Sequence, residues 1–310
     1  MRIAFMGTPD FAIPSLRLLI GHQHSIVCVV TAPDKPRGRG QEIRFSPVKE
    51  FALEHELMPL QPDDLKDTQF ISSLRSLQPD AIVVVAFRIL PKEVYTIPPL
   101  GAFNLHASLL PKYRGAAPIN WAIINGETET GVTTFFLQDK VDTGSIILQA
   151  RVKIGPDETA GELHDTLAEV GAEIALQTVH LMELGKALPH GQDDRLATPA
   201  PKIFKEDCRI RWNTAAPSVH NFVRGLSPNP CAWTIHRGKV LKIYRTQLQN
   251  LKSSESKTPG TIVTVDNKTL TVATKGDAIS IVEIQQEGKR RMGVEEFLRG
   301  YPIHQGNLFE

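Results

Sequence analysis

No run of the sequence approaches the roughly 18 apolar residues that a helix needs to cross a bilayer. The opening Met1-Arg2-Ile3-Ala4-Phe5-Met6-Gly7 is broken too soon to act as a secretory leader and reads as a first strand. Cysteine is scarce. Cys28, Cys208 and Cys231 stand far apart and in no metal-ligand spacing, so buried, reduced thiols and a cytoplasmic location are expected. No group of His, Cys, Asp and Glu has ligand spacing, and no metal is expected. The turn after the first strand, Gly7-Thr8-Pro9-Asp10, lacks Gly-x-Gly-x-x-Gly, so no dinucleotide is implied.

Net charge is nearly absent too, at +1, but it is unevenly placed. Residues 1–204 carry 19 Lys and Arg against 24 Asp and Glu, a net of −5. Residues 205–310 carry 16 against 10, a net of +6. A basic carboxy-terminal part suits a polyanionic partner, or is simply a moderately charged surface.

A chain of 310 residues, 41% of them hydrophobic, is long enough for two domains with ordinary cores. The first part alternates apolar strands with amphipathic helices, the pattern of an α/β fold with a mostly parallel sheet. Thr8 is expected to cap the first helix, with Pro9 in its first position. Residues 185–202 hold Pro189, Pro199 and Pro201 with little periodicity and read as a linker. Beyond them one helix and five short strands suggest a small β-barrel of OB type. The expected division is 1–186, a linker at 187–205, and 206–310.

Residues 32–47 form a separate feature. Lys35, Arg37, Arg39 and Arg44 fall in a Gly-containing segment that reads as a long flexible loop, with Lys49 just beyond it. Such a loop suits phosphate contacts, although a solvated surface loop has the same composition.

The most informative stretch is residues 104–144. Asn104 and His106 are two apart on an expected strand and therefore face one side, at the carboxyl end where open parallel sheets bind ligands. An amide donor, a titratable imidazole and the later carboxylate of Asp142 suit a reaction at a carbonyl carbon.

The motifs Asn104-Leu105-His106, Ser108-Leu109-Leu110-Pro111-Lys112-Tyr113-Arg114-Gly115 and Asp142-Thr143-Gly144, with Asp142 36 residues after His106, resemble the folate-dependent formyltransferases. That resemblance spans nearly the whole chain and implies a Rossmann-like domain followed by the OB-type barrel. It implies 10-formyltetrahydrofolate as co-substrate and a tetrahedral intermediate stabilised by the catalytic residues Asn104 and His106, with Asp142 assisting proton transfer. Folate contacts are implied for Phe87, Ile89, Leu90, Ser108, Leu109, Leu110, Pro111 and Val141. Many family members have Tyr-Gly where this chain has Phe87-Arg88, which leaves Arg88 without an implied role.

The shared motif fixes the chemistry and leaves the acceptor open. In members acting on initiator methionyl-tRNA, a basic loop at residues 32–47 reaches the acceptor stem through an Arg in Gly-Arg-Gly. Gly38-Arg39-Gly40 matches it, so Lys35, Arg37, Arg39 and Arg44 are the implied tRNA contacts. The expected partner is initiator methionyl-tRNA, met by a monomer with no membrane association. A formyltransferase acting on an amino-sugar nucleotide is the competing reading, and an RNA-binding module without catalysis is a third.

Overall fold

The segments Arg2–Gly7, Ser25–Val30 and Ala81–Val85 bury side chains of both faces, as strands covered on two sides must. The structure is a computed structural model that describes residues 1–37, 42–249 and 257–310. The chain forms two compact units that interleave along the sequence. The first is Met1–Gly115, Gly131–Val152 and His164–Pro199; the second is Ala116–Thr130, Lys153–Leu163 and Ala200–Glu310.

The first unit is built on a seven-stranded sheet. From edge to edge it runs Ile146–Lys153, Glu129–Phe136, Ala102–His106, Ala81–Val85, Arg2–Gly7, Ser25–Val30 and Pro59–Leu60. The five strands from Ala102–His106 onward are parallel. The Ala102–His106 strand pairs antiparallel with Glu129–Phe136 on its other side. The mostly parallel, Rossmann-like sheet is therefore as expected.

The first helix starts later than the sequence suggests. Asp10–Ala12 form a 3-10 turn, and the α-helix runs from Ile13 to Gly21. Pro14 sets this start: it has no N–H and fits only the first turn of a helix. The helix Pro47–Glu54 is capped by Ser46, whose hydroxyl oxygen accepts the Lys49 N–H at 3.1 Å.

Two pieces of the basic segment pair as strands, which its composition does not suggest. Lys35–Arg37 pairs antiparallel with Glu42–Arg44, Lys35 opposite Arg44. The hairpin's base is tied down on both sides. The Thr31 and Ser46 hydroxyls meet at 2.8 Å, and Asp34 forms an ion pair with Lys49. Gln61 Nε2 donates to the Ala32 carbonyl and to Asp34 Oδ1, both at 2.8 Å. The Lys49 ammonium, then Gln61, hold the Asp34 carboxyl below its ordinary range.

The second unit carries an antiparallel sheet in the order Ala232–His236, Lys239–Gln249, Ala278–Gln286, Leu270–Ala273, Ile262–Val265. The chain's last residues join its two edges. Ile262 N–H donates to the Asn307 carbonyl, and Phe309 N–H to that of Gly260. Ile235 and Glu310 exchange backbone bonds at 3.2 and 3.0 Å. The closed sheet is the expected small barrel, filled by Trp212, Val223, Ile243, Ile279, Phe297 and Phe309.

Cys28, Cys208 and Cys231 are free and buried. Burial pushes the Cys28 thiol up to about 12 and the other two to about 11, far from the thiolate a nucleophile needs. Among the described residues no helix is long and apolar enough to cross a membrane.

Candidate active site

The antiparallel partner of the Ala102–His106 strand decides what surrounds His106. Asn104 lies opposite Phe135, and His106 opposite Thr133. Asn104 is half-buried, whereas His106 is 6% exposed. Beyond His106 the chain folds back over Thr133. The Thr133 hydroxyl donates to the Ser108 carbonyl at 2.6 Å and accepts from Leu110 N–H at 3.1 Å. Gln149 Nε2 donates to the same hydroxyl and to the Leu110 carbonyl, each at 2.9 Å. The Leu110-Pro111 bond is cis, and Ser108 Oγ donates to the Lys112 carbonyl at 2.7 Å.

This turn returns the Tyr113 carbonyl to His106, 2.9 Å from Nε2. A carbonyl oxygen only accepts, so Nε2 carries the proton. In the neutral ring Nδ1 is then the nitrogen with a free lone pair. It faces Asp142 Oδ2 at 3.9 Å, longer than a direct hydrogen bond. Tyr113 itself has φ 60, a left-handed conformation uncommon for a bulky residue and retained where surrounding contacts hold it.

Asp142 is 9% exposed and also left-handed, at φ 55. Its Oδ2 accepts the Gly115 N–H at 2.9 Å. Its carbonyl accepts from Gln192 Nε2 at 2.9 Å, and the same nitrogen donates to the Gly144 carbonyl at 2.8 Å. Gln192 Oε1 accepts from Arg114 Nε at 3.1 Å and Nη2 at 2.7 Å. Arg114 Nη2 also meets Asp194 Oδ1 at 2.7 Å. Thr198 completes the set: its hydroxyl oxygen accepts Tyr113 N–H and its carbonyl accepts Arg114 N–H, both at 2.9 Å. At Gly144 a Cβ would lie 1.6 Å from the Phe136 carbonyl oxygen, so the loop carrying Asp142 closes this tightly only around glycine.

The other residues singled out in the sequence are distributed around this core. Ile89 and Val141 are 74% and 50% exposed, unusual for their type. Tyr95, at the end of the helix Lys92–Tyr95 that follows the Ile89 loop, donates its hydroxyl to Asp139 Oδ1 at 2.5 Å in the loop that carries Val141. Phe87 is half-buried; Leu90, Ser108 and Leu110 are buried, and Leu109 and Pro111 are half-buried. Arg88 donates to the Pro62 and Asp63 carbonyls at 2.7 and 2.9 Å and so braces the loop it stands on. Lys35 and Arg37 lie in the hairpin and Arg44 is exposed, while Arg39 lies outside the described residues. Among the described residues no three His, Cys, Asp or Glu are placed to hold a metal ion.

Asn104, His106 and Asp142 thus come from two places in the chain, and the structure puts the imidazole and the carboxylate face to face. Sequence reasoning missed Gln192, Thr133 and Gln149. Gln192 stands in the segment expected to be a linker, fifty residues beyond Asp142, where nothing in the local pattern marks it. The signal available was Arg114, a motif cation that needs an acceptor.

Residues 1–179 match the model of a family described as Formyl transferase, and residues 202–302 that of Formyl transferase, C-terminal domain. A methionyl-tRNA formyltransferase of Bacteroides thetaiotaomicron is 46% identical over 99% of this chain and 97% of its own length. One from Caldanaerobacter subterraneus is 46% identical with full coverage of both chains. Among solved structures, WlaRD, a sugar 3N-formyl transferase with dTDP and 5-N-formyl-THF, matches at TM-score 0.68 and 20% identity, covering 94% of this chain and 99% of its own. HypX from Aquifex aeolicus in complex with tetrahydrofolic acid matches at TM-score 0.66 and 19% identity over 100% of this chain, which spans half the length of HypX. At such identities these two show a shared fold. With both family models matched in order and near-half identity along its whole length to curated relatives, the chain belongs to the formyl transferase family.

Proposed function

We propose that the chain transfers a formyl group from 10-formyltetrahydrofolate to the amino group of methionine on initiator methionyl-tRNA. The observation that carries this reading is identity of 46–47% over nearly the full chain to methionyl-tRNA formyltransferases, against 16–20% for the sugar and HypX structures. Residues 1–186 are the catalytic domain in this reading, 187–205 the linker, and 206–310 the tRNA-binding barrel of a chain acting as a monomer.

The exposed apolar side chains of Ile89 and Val141 suit the face of a flat heterocycle. Phe87, Leu90 and the turn Ser108–Pro111 shape the same site. Bound there, the folate supplies the formyl carbon that the methionine amine attacks. Asn104 donates its amide N–H to the formyl oxygen as negative charge gathers on it in the tetrahedral intermediate; such a donor is worth roughly 3 kcal/mol. His106 keeps Nε2–H on the Tyr113 carbonyl and takes up or releases a proton at Nδ1, opposite Asp142. Asp142, fixed by Gly115 N–H, holds that proton in place as the amine loses one and the leaving nitrogen gains one. The hairpin cations Lys35, Arg37 and Arg44, together with Arg39, meet phosphates of the acceptor stem.

The test is formyl transfer from 10-formyltetrahydrofolate to three acceptors: charged initiator tRNA, uncharged tRNA and a dTDP-linked amino sugar. Transfer to the charged tRNA alone is expected, and Arg39→Ala should reduce it. Transfer to the amino sugar alone would overturn the proposed acceptor.

A further inference from the structure

All the hydrogen-bonding capacity of the Gln192 amide is engaged. Its two N–H groups go to the Asp142 and Gly144 carbonyls, and its oxygen receives two bonds from Arg114. Carbonyls only accept and a guanidinium only donates, so the amide can stand in one orientation. Arg114 belongs to the turn whose Tyr113 carbonyl fixes the His106 tautomer and whose Gly115 N–H grips the Asp142 carboxylate. A single side chain therefore joins the loop of Asp142 to the turn that holds both Asp142 and His106.

We propose that Gln192 is a positioning residue for formyl transfer, setting the placement of the Asp142 carboxylate against His106 without touching either substrate. This rests on the roles given above to His106 and Asp142. Only an amide meets both demands. Glutamate would keep the acceptors for Arg114 and set a carboxylate oxygen against two carbonyl oxygens. A misplacement of about 1 Å in a catalytic group costs on the order of a hundredfold in rate.

The experiment is a double-mutant cycle of Gln192→Glu and Asp142→Asn, read as kcat and KM for methionyl-tRNA and for 10-formyltetrahydrofolate, with thermal unfolding to confirm the fold. Gln192→Glu should lower kcat at least about tenfold and leave both KM values within about twofold. In the Asp142→Asn background it should add less than about a further twofold, because the carboxylate it serves is already gone. Should Gln192→Glu not accumulate as folded protein, Gln192→Met, of similar length and uncharged, replaces it in the cycle. Parental kcat in the Gln192 variant beside a crippled Asp142→Asn would overturn the inference, as would two losses that multiply in full. Parental activity in Asp142→Asn would overturn the assignment of Asp142, and this inference with it, so the two failures read differently.

Discussion

The tautomer of His106 follows from one contact. The Tyr113 carbonyl accepts a hydrogen bond from Nε2–H, and the nitrogen left for proton exchange is the one facing Asp142. His220 in the second unit shows the same logic used for stability. Its Nε2 donates to the Pro156 carbonyl at 3.1 Å, and its Nδ1 accepts from the Thr246 hydroxyl at 3.0 Å. Burial, the largest cause, lowers the His220 pKa below its ordinary value. The folded state thus favours the neutral ring. Its contribution to stability is complete above the unfolded pKa of about 6.5 and is lost as pH falls below that value, where the unfolded chain binds a proton more readily. His24 and His236 are lowered by burial in the same direction. Thermal unfolding followed from pH 8 to pH 5 should therefore show a falling Tm, and His220→Asn should flatten part of that fall. An unchanged slope in the variant would assign the acid sensitivity elsewhere. At this scale the shared face of Asn104 and His106 was legible because spacing of two on a strand puts side chains on one side, while Asp142 was marked by the motif it stands in. Gln192 was not, since an amide in an aperiodic loop acquires meaning only from the carbonyls that folding brings to it.

Elements carry the next layer. The parallel strands announced themselves as unbroken apolar runs, and the barrel strands as short alternating ones between turns. The hairpin Lys35–Arg37 with Glu42–Arg44 did not, because Pro36, Gly38 and Gly40 are the residues that mark loops and the pairing is only three residues long. The start of the first helix was misread for the opposite reason: Pro9 looked like a helix opener, while Pro14 is the proline that occupies the first turn. The loop Asp139–Gly144 depends on one close approach, between Gly144 and the Phe136 carbonyl. Gly144→Ala must push that loop away from the strand. It should cost about 1–3 kcal/mol in urea unfolding and lower the transfer rate more than a surface alanine would. A variant of parental stability and activity would show that the strand can yield.

Across the whole molecule, acid and base are separated along the sequence, −5 over residues 1–204 and +6 over residues 205–310. Composition made that visible before any fold was known, and both family models then mapped in the same order. A tRNA acceptor turns this asymmetry into a measurable dependence on ionic strength. Each phosphate neutralised releases counterions, so with several contacts the affinity for methionyl-tRNA should fall more than about tenfold between roughly 50 and 200 mM salt. Equilibrium binding at several salt concentrations checks it, and a flat dependence would remove the phosphate contacts from the account. What composition could not reveal is the role of residues 187–205. Their prolines and polar side chains read as a connector, yet Gln192, Asp194 and Thr198 bind the segments on which His106 and Asp142 stand.

The central claim is that chemistry resides in the cluster of Asn104, His106 and Asp142 while other surfaces hold the tRNA. Single-turnover formyl transfer by His106→Ala, measured beside its equilibrium affinity for methionyl-tRNA, tests this most directly. The account predicts a rate lower by at least about a hundredfold, with affinity within about twofold of the parent. Equal transfer rates in parent and variant would contradict it.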